Sequence, residues 1–440
     1  MSNNEREFKT KWGFILACVG SAVGMANVWG FPYKLGSSGG GAFLVPYLIF
    51  IALFSYVGLS TEYAVGRRAK TGTLGAYKKA WEKDGKTSAI GRNIGFLPLA
   101  GSMCIAIGYA VIISYVLKAL LNSITGELMT VNPGEWFESF ALHGFSVIPL
   151  HLIIIVVTLL TLVFGSDSIE KSNKVMMPLF FILFLFMAVR ILLLPGALQG
   201  YKFMLTPEWS MLKDPKIWVF AMGQAFFSLS VTGSGMIVYG AYLSDKEDVV
   251  GAAKQTAIFD TIAAFVAACV MIPACFAYGI DPAGGPGLLF VTIPTILQDM
   301  PGGRIFAIVL YLAVVFGGIS SLQNMFEVVL ESICNRFPVV KRNYGLALLF
   351  IICMGIGVFM ESIDKWGPWM DIVSIYIIPI GATLGAISWF WVMKKEDLLY
   401  EINKGREKLV GNGWYNIGKY VYVPLAALLC IYALLTQTSF

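Results

Sequence analysis

Two apolar segments of the sequence are interrupted by residues that disfavour a continuous helix. The first reads GSAVGMANVWGFP over residues 20–32, and the second reads SLSVTGSGMIVYG over residues 228–240. Glycine and proline destabilise a helix by about 1 and 3 kcal/mol, and an unpaired backbone group in an apolar medium costs several kcal/mol more. Such breaks persist where a ligand lines them, because free carbonyl oxygens bind cations and the N-terminal ends of helices bind anions. The two segments predict a site for a cation beside a carboxylate, with close helix packing as the alternative role for the glycines.

Two acidic residues, Glu62 and Asp260, also lie within apolar segments. A charged side chain at the centre of a membrane costs about 3 kcal/mol on insertion scales, so an acid there indicates a function. The alternative for Asp260 is a place at the cytoplasmic end of its helix. No transition-metal or redox site is expected, because His143 and His151 have no acidic companion at ligand spacing and the seven cysteines form no CxxC pair.

The composition indicates that most of the chain is surrounded by lipid. Of the 440 residues, 57% are hydrophobic and 13% are charged, and the mean hydropathy is +0.73. A water-soluble domain needs a more polar exterior than these values allow. The net charge of +5 lies in the loops, so we expect the lipid bilayer as a partner and no nucleic acid. No cleavable signal is evident, because residues 1–11 are polar and no small-residue cleavage site follows.

Eleven apolar segments are each long enough to cross a hydrocarbon core of about 30 Å as a helix. They cover approximately residues 12–35, 42–66, 95–124, 145–164, 175–195, 216–243, 252–280, 302–335, 344–360, 367–393 and 417–437. Lysine and arginine are concentrated after the second and the tenth segment, and the positive-inside rule places these loops in the cytoplasm. The sequence therefore predicts a multi-pass protein of the cell membrane, with a cytoplasmic N terminus and an extracellular C terminus.

The two interrupted segments are the first and the sixth, which indicates an internal repeat of five spans. Broken helices at equivalent positions of two repeats are typical of transporters with inverted-topology halves. We therefore expect one transporter domain over residues 1–440. Its first repeat is predicted over residues 12–195 and its second over residues 216–393, with the segment at 417–437 outside both.

Several motifs together resemble the neurotransmitter:sodium symporter family, which has the LeuT fold. The first interrupted segment is followed by GGGAF at residues 39–43, GQAFFSLS occupies residues 223–230, and FGGISSLQNMFEVV occupies residues 316–329. With Glu62 and Gly66 in the second segment, the resemblance covers nearly the whole chain. It implies an all-α integral membrane protein with the LeuT fold: a 5+5 inverted repeat with broken helices 1 and 6, plus one extra helix, as in the prokaryotic eleven-span amino-acid transporter branch. Discontinuous helices at the substrate site are a known feature of LeuT.

The resemblance further implies two Na⁺ sites built from oxygen atoms. Sodium site 1 is expected to use the carbonyl of Ala22, the side chains of Asn27, Ser228 and Asp260, and the carboxylate of the substrate. Sodium site 2 is expected to use the carbonyls of Gly20, Val23 and Gly317 and the hydroxyls of Ser320 and Ser321. Ligands of this kind suit a hard cation of low charge, whereas the residues of site 2 alone would otherwise indicate helix packing.

The same resemblance suggests how an amino-acid substrate binds. Tyr109 is expected to hold its carboxylate beside Gly24, Met25, Ala22 and Ser228, with Phe227 as an aromatic lid. Gly24 stands where monoamine carriers have an aspartate, so a zwitterion is favoured. The side-chain pocket is expected to consist of Ile105, Ser230, Gly233, Met236, Leu322 and Met325.

Gly233 stands where relatives that select small aliphatic substrates have a phenylalanine. We therefore expect tyrosine, tryptophan, phenylalanine, leucine or methionine to fit. Chloride-dependent members have neutral residues near Asp260 and bind chloride, so the carboxylate implies transport without chloride.

The gates of the family are only partly represented in the sequence. The usual extracellular arginine is missing near Gly30, and Lys34 with Asp371 is the predicted substitute pair. At the cytoplasmic end, the candidates are Arg6 and Glu331.

Other classes of function fit the sequence less well. No GxSxG, HExxH or phosphate-loop motif indicates an enzyme, and a channel needs no occluded carboxylate site. A proton-coupled carrier of the same fold remains an alternative because of the acids at 62 and 260. A sodium symporter for another zwitterion, such as a betaine, is the second alternative.

Overall fold

The computed structural model describes residues 7–82, 87–282 and 287–438, and these ranges contain helices but no β-strand. The helices of the first half are α1 (Lys11–Ala22), α2 (Ala26–Ser37), α3 (Gly41–Ala69), α4 (Thr73–Ala80), α5 (Thr87–Thr125), α6 (Pro133–Ala141), α7 (Ile148–Leu160), α8 (Ser166–Leu192) and α9 (Ala197–Leu205). The helices of the second half are α10 (Pro215–Ser228), α11 (Gly235–Ala241), α12 (Val249–Ala277), α13 (Leu288–Asp299), α14 (Gly303–Arg336), α15 (Arg342–Met360), α16 (Ile363–Val392), α17 (Lys395–Asn403) and α18 (Asn412–Thr436).

The helices confirm the predicted all-α membrane fold. In the described ranges, eight helices are long and apolar enough to cross a membrane, and α1 with α2, bent by 55°, forms a ninth candidate. The predicted fourth span corresponds to α7, which has 13 residues, and the sixth is divided between α10 and α11, with 14 and 7 residues. A helix of 13 or 14 residues extends only about 20 Å, which is shorter than the hydrocarbon core of a membrane. The count of eleven spans therefore stays a prediction.

The first predicted break lies between α1 and α2. Helix α1 ends where Val23 adopts an extended conformation, with φ −78° and ψ 109°. Gly24 follows, and a Cβ atom at that position would lie 2.3 Å from the hydroxyl oxygen of Tyr109 and 2.5 Å from that of Ser321. The absence of a side chain at Gly24 therefore allows Tyr109 on α5 and Ser321 on α14 to contact the unwound backbone of the break.

The second predicted break is the linker at residues 229–234, between α10 and α11. Ser230 and Gly233 have positive φ angles of 53° and 77°, and a serine in this region is strained. The carboxyl group of Glu62 on α3 holds the linker, because it accepts hydrogen bonds from the backbone N–H groups of Gly233 (2.7 Å) and Met236 (3.3 Å). Both breaks are thus stabilised by residues far away in the sequence.

Long helices enclose the two breaks. Helix α14 packs against α5, α8 and α1; helix α12 packs against α1 and α2; and α11 packs on α3. Polar side chains from α5, α12 and α14 consequently face the unwound backbone in the interior of the bundle.

Candidate ion and substrate site

The expected residues of sodium site 1 come together from three helices. Asn27 on α2, Ser228 on α10 and Asp260 on α12 are each fully buried. The amide Nδ2 of Asn27 donates to Oδ1 of Asp260 at 2.7 Å, and the Ser228 hydroxyl donates to Oδ2 at 2.7 Å. In the described part of the chain this carboxylate forms no ion pair. A buried carboxylate needs a positive partner, so the site has the donor set and the charge that suit a sodium ion.

The expected residues of sodium site 2 also converge. The hydroxyl oxygen of Ser321 lies 3.2 Å from the carbonyl oxygen of Gly20, 3.3 Å from that of Ser21 and 3.1 Å from that of Val23. Ser320 donates to the carbonyl oxygen of Gly317 at 2.9 Å. One hydroxyl hydrogen cannot satisfy three carbonyls, so the cluster has surplus acceptor capacity that suits a hard cation.

A variant of site 2 tests this interpretation. Ser321→Ala removes the hydroxyl that faces three carbonyls, and we expect the sodium concentration for half-maximal substrate binding to rise about tenfold. The matched control is Ser114→Ala, because Ser114 is also fully buried but bonds only to its own helix, at Val111. Sodium titrations of both purified variants make the comparison, and equal values for the two would exclude Ser321 as a ligand.

A cavity lies beside both clusters at the breaks. Eight of the expected substrate residues line it: Ala22, Gly24, Met25, Ile105, Tyr109, Phe227, Ser230 and Met325. The hydroxyl oxygen of Tyr109 accepts a hydrogen bond from the backbone N–H of Met25 at 2.9 Å. One end of the cavity is therefore polar and borders the broken helix, and the remaining wall is largely apolar.

Four expected substrate residues lie outside this lining. Gly233 packs against α16, where a Cβ atom would lie 2.5 Å from the carbonyl oxygen of Gly381. Met236 is fully buried beside Tyr63, Leu322 is fully buried, and Ser228 is directed at Asp260. Gly233, Met236 and Leu322 therefore do not line the cavity in this structure, and their role in a substrate pocket stays a prediction.

The sequence interpretation missed several polar residues of the cavity, of which Ser102 and Asn324 are the clearest. Ser102 bonds to Ser234 at 2.7 Å, and Asn324 donates to the carbonyl of Gly235 at 3.1 Å. Each lies three residues from a predicted site residue on the same helix. Residues three apart in a helix lie on the same face. The spacing of Ser102 from Ile105 and of Asn324 from Ser321 could therefore have identified these two residues from the sequence.

Comparisons with known proteins identify the family of the chain. The model of the sodium:neurotransmitter symporter family matches residues 5–139 and 135–439. The chain belongs to this family. The sodium-dependent transporter YhdH of Bacillus subtilis is 30% identical over 99% of this chain and 98% of its own length. A sodium-dependent transporter of Haemophilus influenzae is 26% identical over 97% of this chain and 98% of its own length.

A solved structure supports the same assignment. The crystal structure of MhsT in complex with L-phenylalanine has a TM-score of 0.86 and 30% identity, and the match covers 97% of this chain and 99% of that one. The symporter described here is therefore a multi-pass membrane transporter of LeuT fold rather than an enzyme, and its family uses sodium.

The expected extracellular gate of the symporter is not closed in this structure. Lys34 and Asp371 both line a second, larger cavity, which shares Phe227 with the first, inner cavity. This cavity encloses about 1210 Å³, compared with about 540 Å³ for the inner one, with open solvent included in both. Within the described ranges neither side chain forms an ion pair, so their pairing does not occur in this conformation. A pair in a closed state stays a prediction.

At the opposite end, the symporter is held together by contacts that the sequence interpretation did not identify. Arg6 lies outside the described residues, and Glu331 accepts a hydrogen bond from the backbone N–H of Gly72 at 2.5 Å. One ion pair of this region joins the buried carboxylate of Glu327 to Arg342 at 2.5 Å, and Tyr242 donates to the same carboxylate at 2.5 Å. The sequence did contain a signal for this contact, because Glu327 is an acid within the predicted eighth span.

Proposed function

We propose that this chain is a sodium-coupled symporter of a hydrophobic or aromatic L-amino acid, and that it works by alternating access with two Na⁺ ions and without chloride. The candidate substrates are tyrosine, tryptophan, phenylalanine, leucine and methionine. The supporting observation is the pair of oxygen-rich clusters beside one cavity at the breaks of two helices. The proposal includes a cell-membrane location with a cytoplasmic N terminus and an extracellular C terminus.

The polar end of the cavity favours a substrate with its own carboxylate. Tyr109 and the backbone at Gly24 and Met25 are neutral, so they supply no anion to bind an amine that lacks a carboxylate. A carboxylate at this place would complete sodium site 1, next to Asn27. Substrate and ion would thereby stabilise each other, which is the basis of coupling.

The remaining wall of the cavity favours an apolar side chain. Ile105, Phe227 and Met325 provide hydrophobic and adaptable surface. MhsT, with a TM-score of 0.86 to this structure, was solved with L-phenylalanine. These two observations support a bulky substrate without the argument from Gly233, which lies outside the cavity lining.

The proposed stoichiometry supplies a large driving force. Two sodium ions with one zwitterion carry a net charge of +2, and each charge gains about 2.3 kcal/mol per 100 mV of membrane potential. The electrical contribution alone would support roughly a thousandfold concentration gradient of the amino acid.

Uptake into proteoliposomes tests the proposal directly. Purified protein in potassium-loaded liposomes is supplied with radiolabelled tyrosine, tryptophan, phenylalanine, leucine or methionine under a sodium gradient, a potassium control or a pH gradient, each with chloride or gluconate. We expect uptake that requires sodium and does not require chloride. Uptake driven by protons without sodium would refute the coupling, and competition by a betaine but not by these amino acids would refute the substrate class.

A further inference from the structure

Asn173 on α8 carries a buried oxygen atom that has no hydrogen-bond partner among the residues that the structure describes. The side chain is fully buried, and its Oδ1 is unpaired. Its Nδ2 donates to the carbonyl oxygen of Ile169 at 2.9 Å and to Oε1 of Gln323 on α14 at 2.6 Å. An unsatisfied buried polar atom costs about 1–3 kcal/mol, so the unpaired oxygen indicates a role beyond stability.

The hydrogen-bond network fixes the orientation of this amide. The carbonyl of Ile169 can only accept, so the nitrogen of Asn173 must face it. Gln323 is fixed in the same way, because its Nε2 donates to Ser172 at 2.9 Å and to the carbonyl of Thr161 at 3.4 Å. Exchanging the oxygen and nitrogen of this amide would place Oδ1 against the carbonyl oxygen of Ile169. The direction of Oδ1 is therefore fixed.

That direction is towards sodium site 2. A Cβ atom built on Gly20 would lie 2.1 Å from Oδ1 of Asn173 and 3.0 Å from the Cβ atom of Ser320. Oδ1 of Asn173 therefore lies against Gly20 and beside Ser320, two of the residues expected to form sodium site 2.

Another oxygen group lies further from site 2, beside Gly13 near the start of α1. Glu170 precedes Asn173 by three residues on α8 and is also buried. Its carboxylate accepts hydrogen bonds from the backbone N–H of Lys9 and the hydroxyl of Thr10, both at 2.7 Å, and pairs with Lys174 at 2.6 Å. The oxygen atoms of Asn173 and Glu170 thus lie between site 2 and the segment that precedes α1. The proposed orientation places this segment in the cytoplasm.

We propose that Oδ1 of Asn173 is a transient ligand for the sodium ion as it leaves site 2 towards the cytoplasm. The inference rests on the proposed sodium coupling and orientation, and adds a second position to the path of the ion. The expected set of site 2 already has five oxygen ligands without Oδ1, so we place Oδ1 at the next position of the ion, after it has left the site. Removal of this oxygen is therefore expected to affect release and not equilibrium binding.

Two variants separate this role from simple helix packing. Asn173→Leu removes the oxygen, whereas Gln323→Leu breaks the same interhelical hydrogen bond but leaves the oxygen, which the carbonyl of Ile169 still orients. We expect Asn173→Leu to slow sodium-driven uptake of labelled phenylalanine about tenfold and Gln323→Leu to slow it less than about threefold. In both variants the sodium dependence of equilibrium phenylalanine binding should stay within about twofold of the wild type.

Three results would overturn the inference. Equal slowing by the two variants would show that the hydrogen bond between the helices is what matters. Unchanged uptake with Asn173→Leu would remove the residue from the path, and a parallel loss of binding and uptake would make it part of site 2 or of the fold. Absence of sodium-driven uptake by the wild-type protein would instead refute the proposed function, so the two failures are distinguishable.

Discussion

Replacing Asp260 by asparagine is expected to lower sodium-driven amino-acid uptake by about a hundredfold or more. The carboxylate is fully buried, and Asn27 and Ser228 both donate to it. The substitution keeps the shape of the side chain but removes the only charge of the three-residue cluster. Loss of one partner of a buried charge pair costs about 3–5 kcal/mol, and about 3 kcal/mol already corresponds to a hundredfold change in affinity.

The measurement is uptake against sodium concentration, in chloride and in gluconate. Glu135→Gln is the matched control, because it makes the same chemical change at an exposed position of α6. Unaltered sodium dependence in Asp260→Asn would exclude the residue as an ion ligand. Uptake by Asp260→Asn that recovers in chloride but not in gluconate would support a role for the negative charge, since a chloride ion would then replace the carboxylate.

The second large effect is expected for Glu62→Ala. Its carboxyl group accepts two backbone hydrogen bonds from the linker at residues 229–234 and from the first turn of α11. Truncation leaves both N–H groups unpaired in a buried position, which costs about 1–3 kcal/mol for each group. We expect a clear fall in thermal stability together with loss of uptake, because the linker also forms part of the cavity wall.

Thermal unfolding in detergent and uptake in liposomes are the two measurements. Glu62→Gln keeps one acceptor oxygen and should retain more stability than the alanine variant. Glu138→Ala, at an exposed position of α6, controls for the removal of an acidic side chain. An alanine variant as stable as this control would show that the linker does not depend on Glu62.

This role for Glu62 bears on the proton-coupled alternative. Both carboxylate oxygens of Glu62 are occupied by the backbone of the linker. Protonation of one oxygen in each cycle would weaken the hydrogen bond that this oxygen accepts. The geometry therefore favours a structural role for Glu62, and the pH-gradient condition of the uptake experiment tests this conclusion.

The fold and the oxygen clusters were largely predictable, and the pocket was less so. The breaks predicted over residues 20–32 and 228–240 contain the observed ones, because glycine, proline and serine disfavour helices wherever they occur. Asn27, Ser228 and Asp260, which the resemblance assigns to one site, lie together in the structure, and their role as sodium ligands stays a prediction. Gly233 does not line the observed cavity, because an ungapped comparison cannot show where an unwound linker turns.

The sequence by itself determined that this chain is a helical membrane protein with two broken helices, because hydropathy and helix propensity are local properties. Tertiary structure alone decided which polar atoms of the interior are paired. It joins Glu62 to the linker and Glu331 to Gly72, and within the described ranges it leaves Oδ1 of Asn173 without a partner. These outcomes depend on contacts between helices far apart in the chain, which neither composition nor spacing encodes.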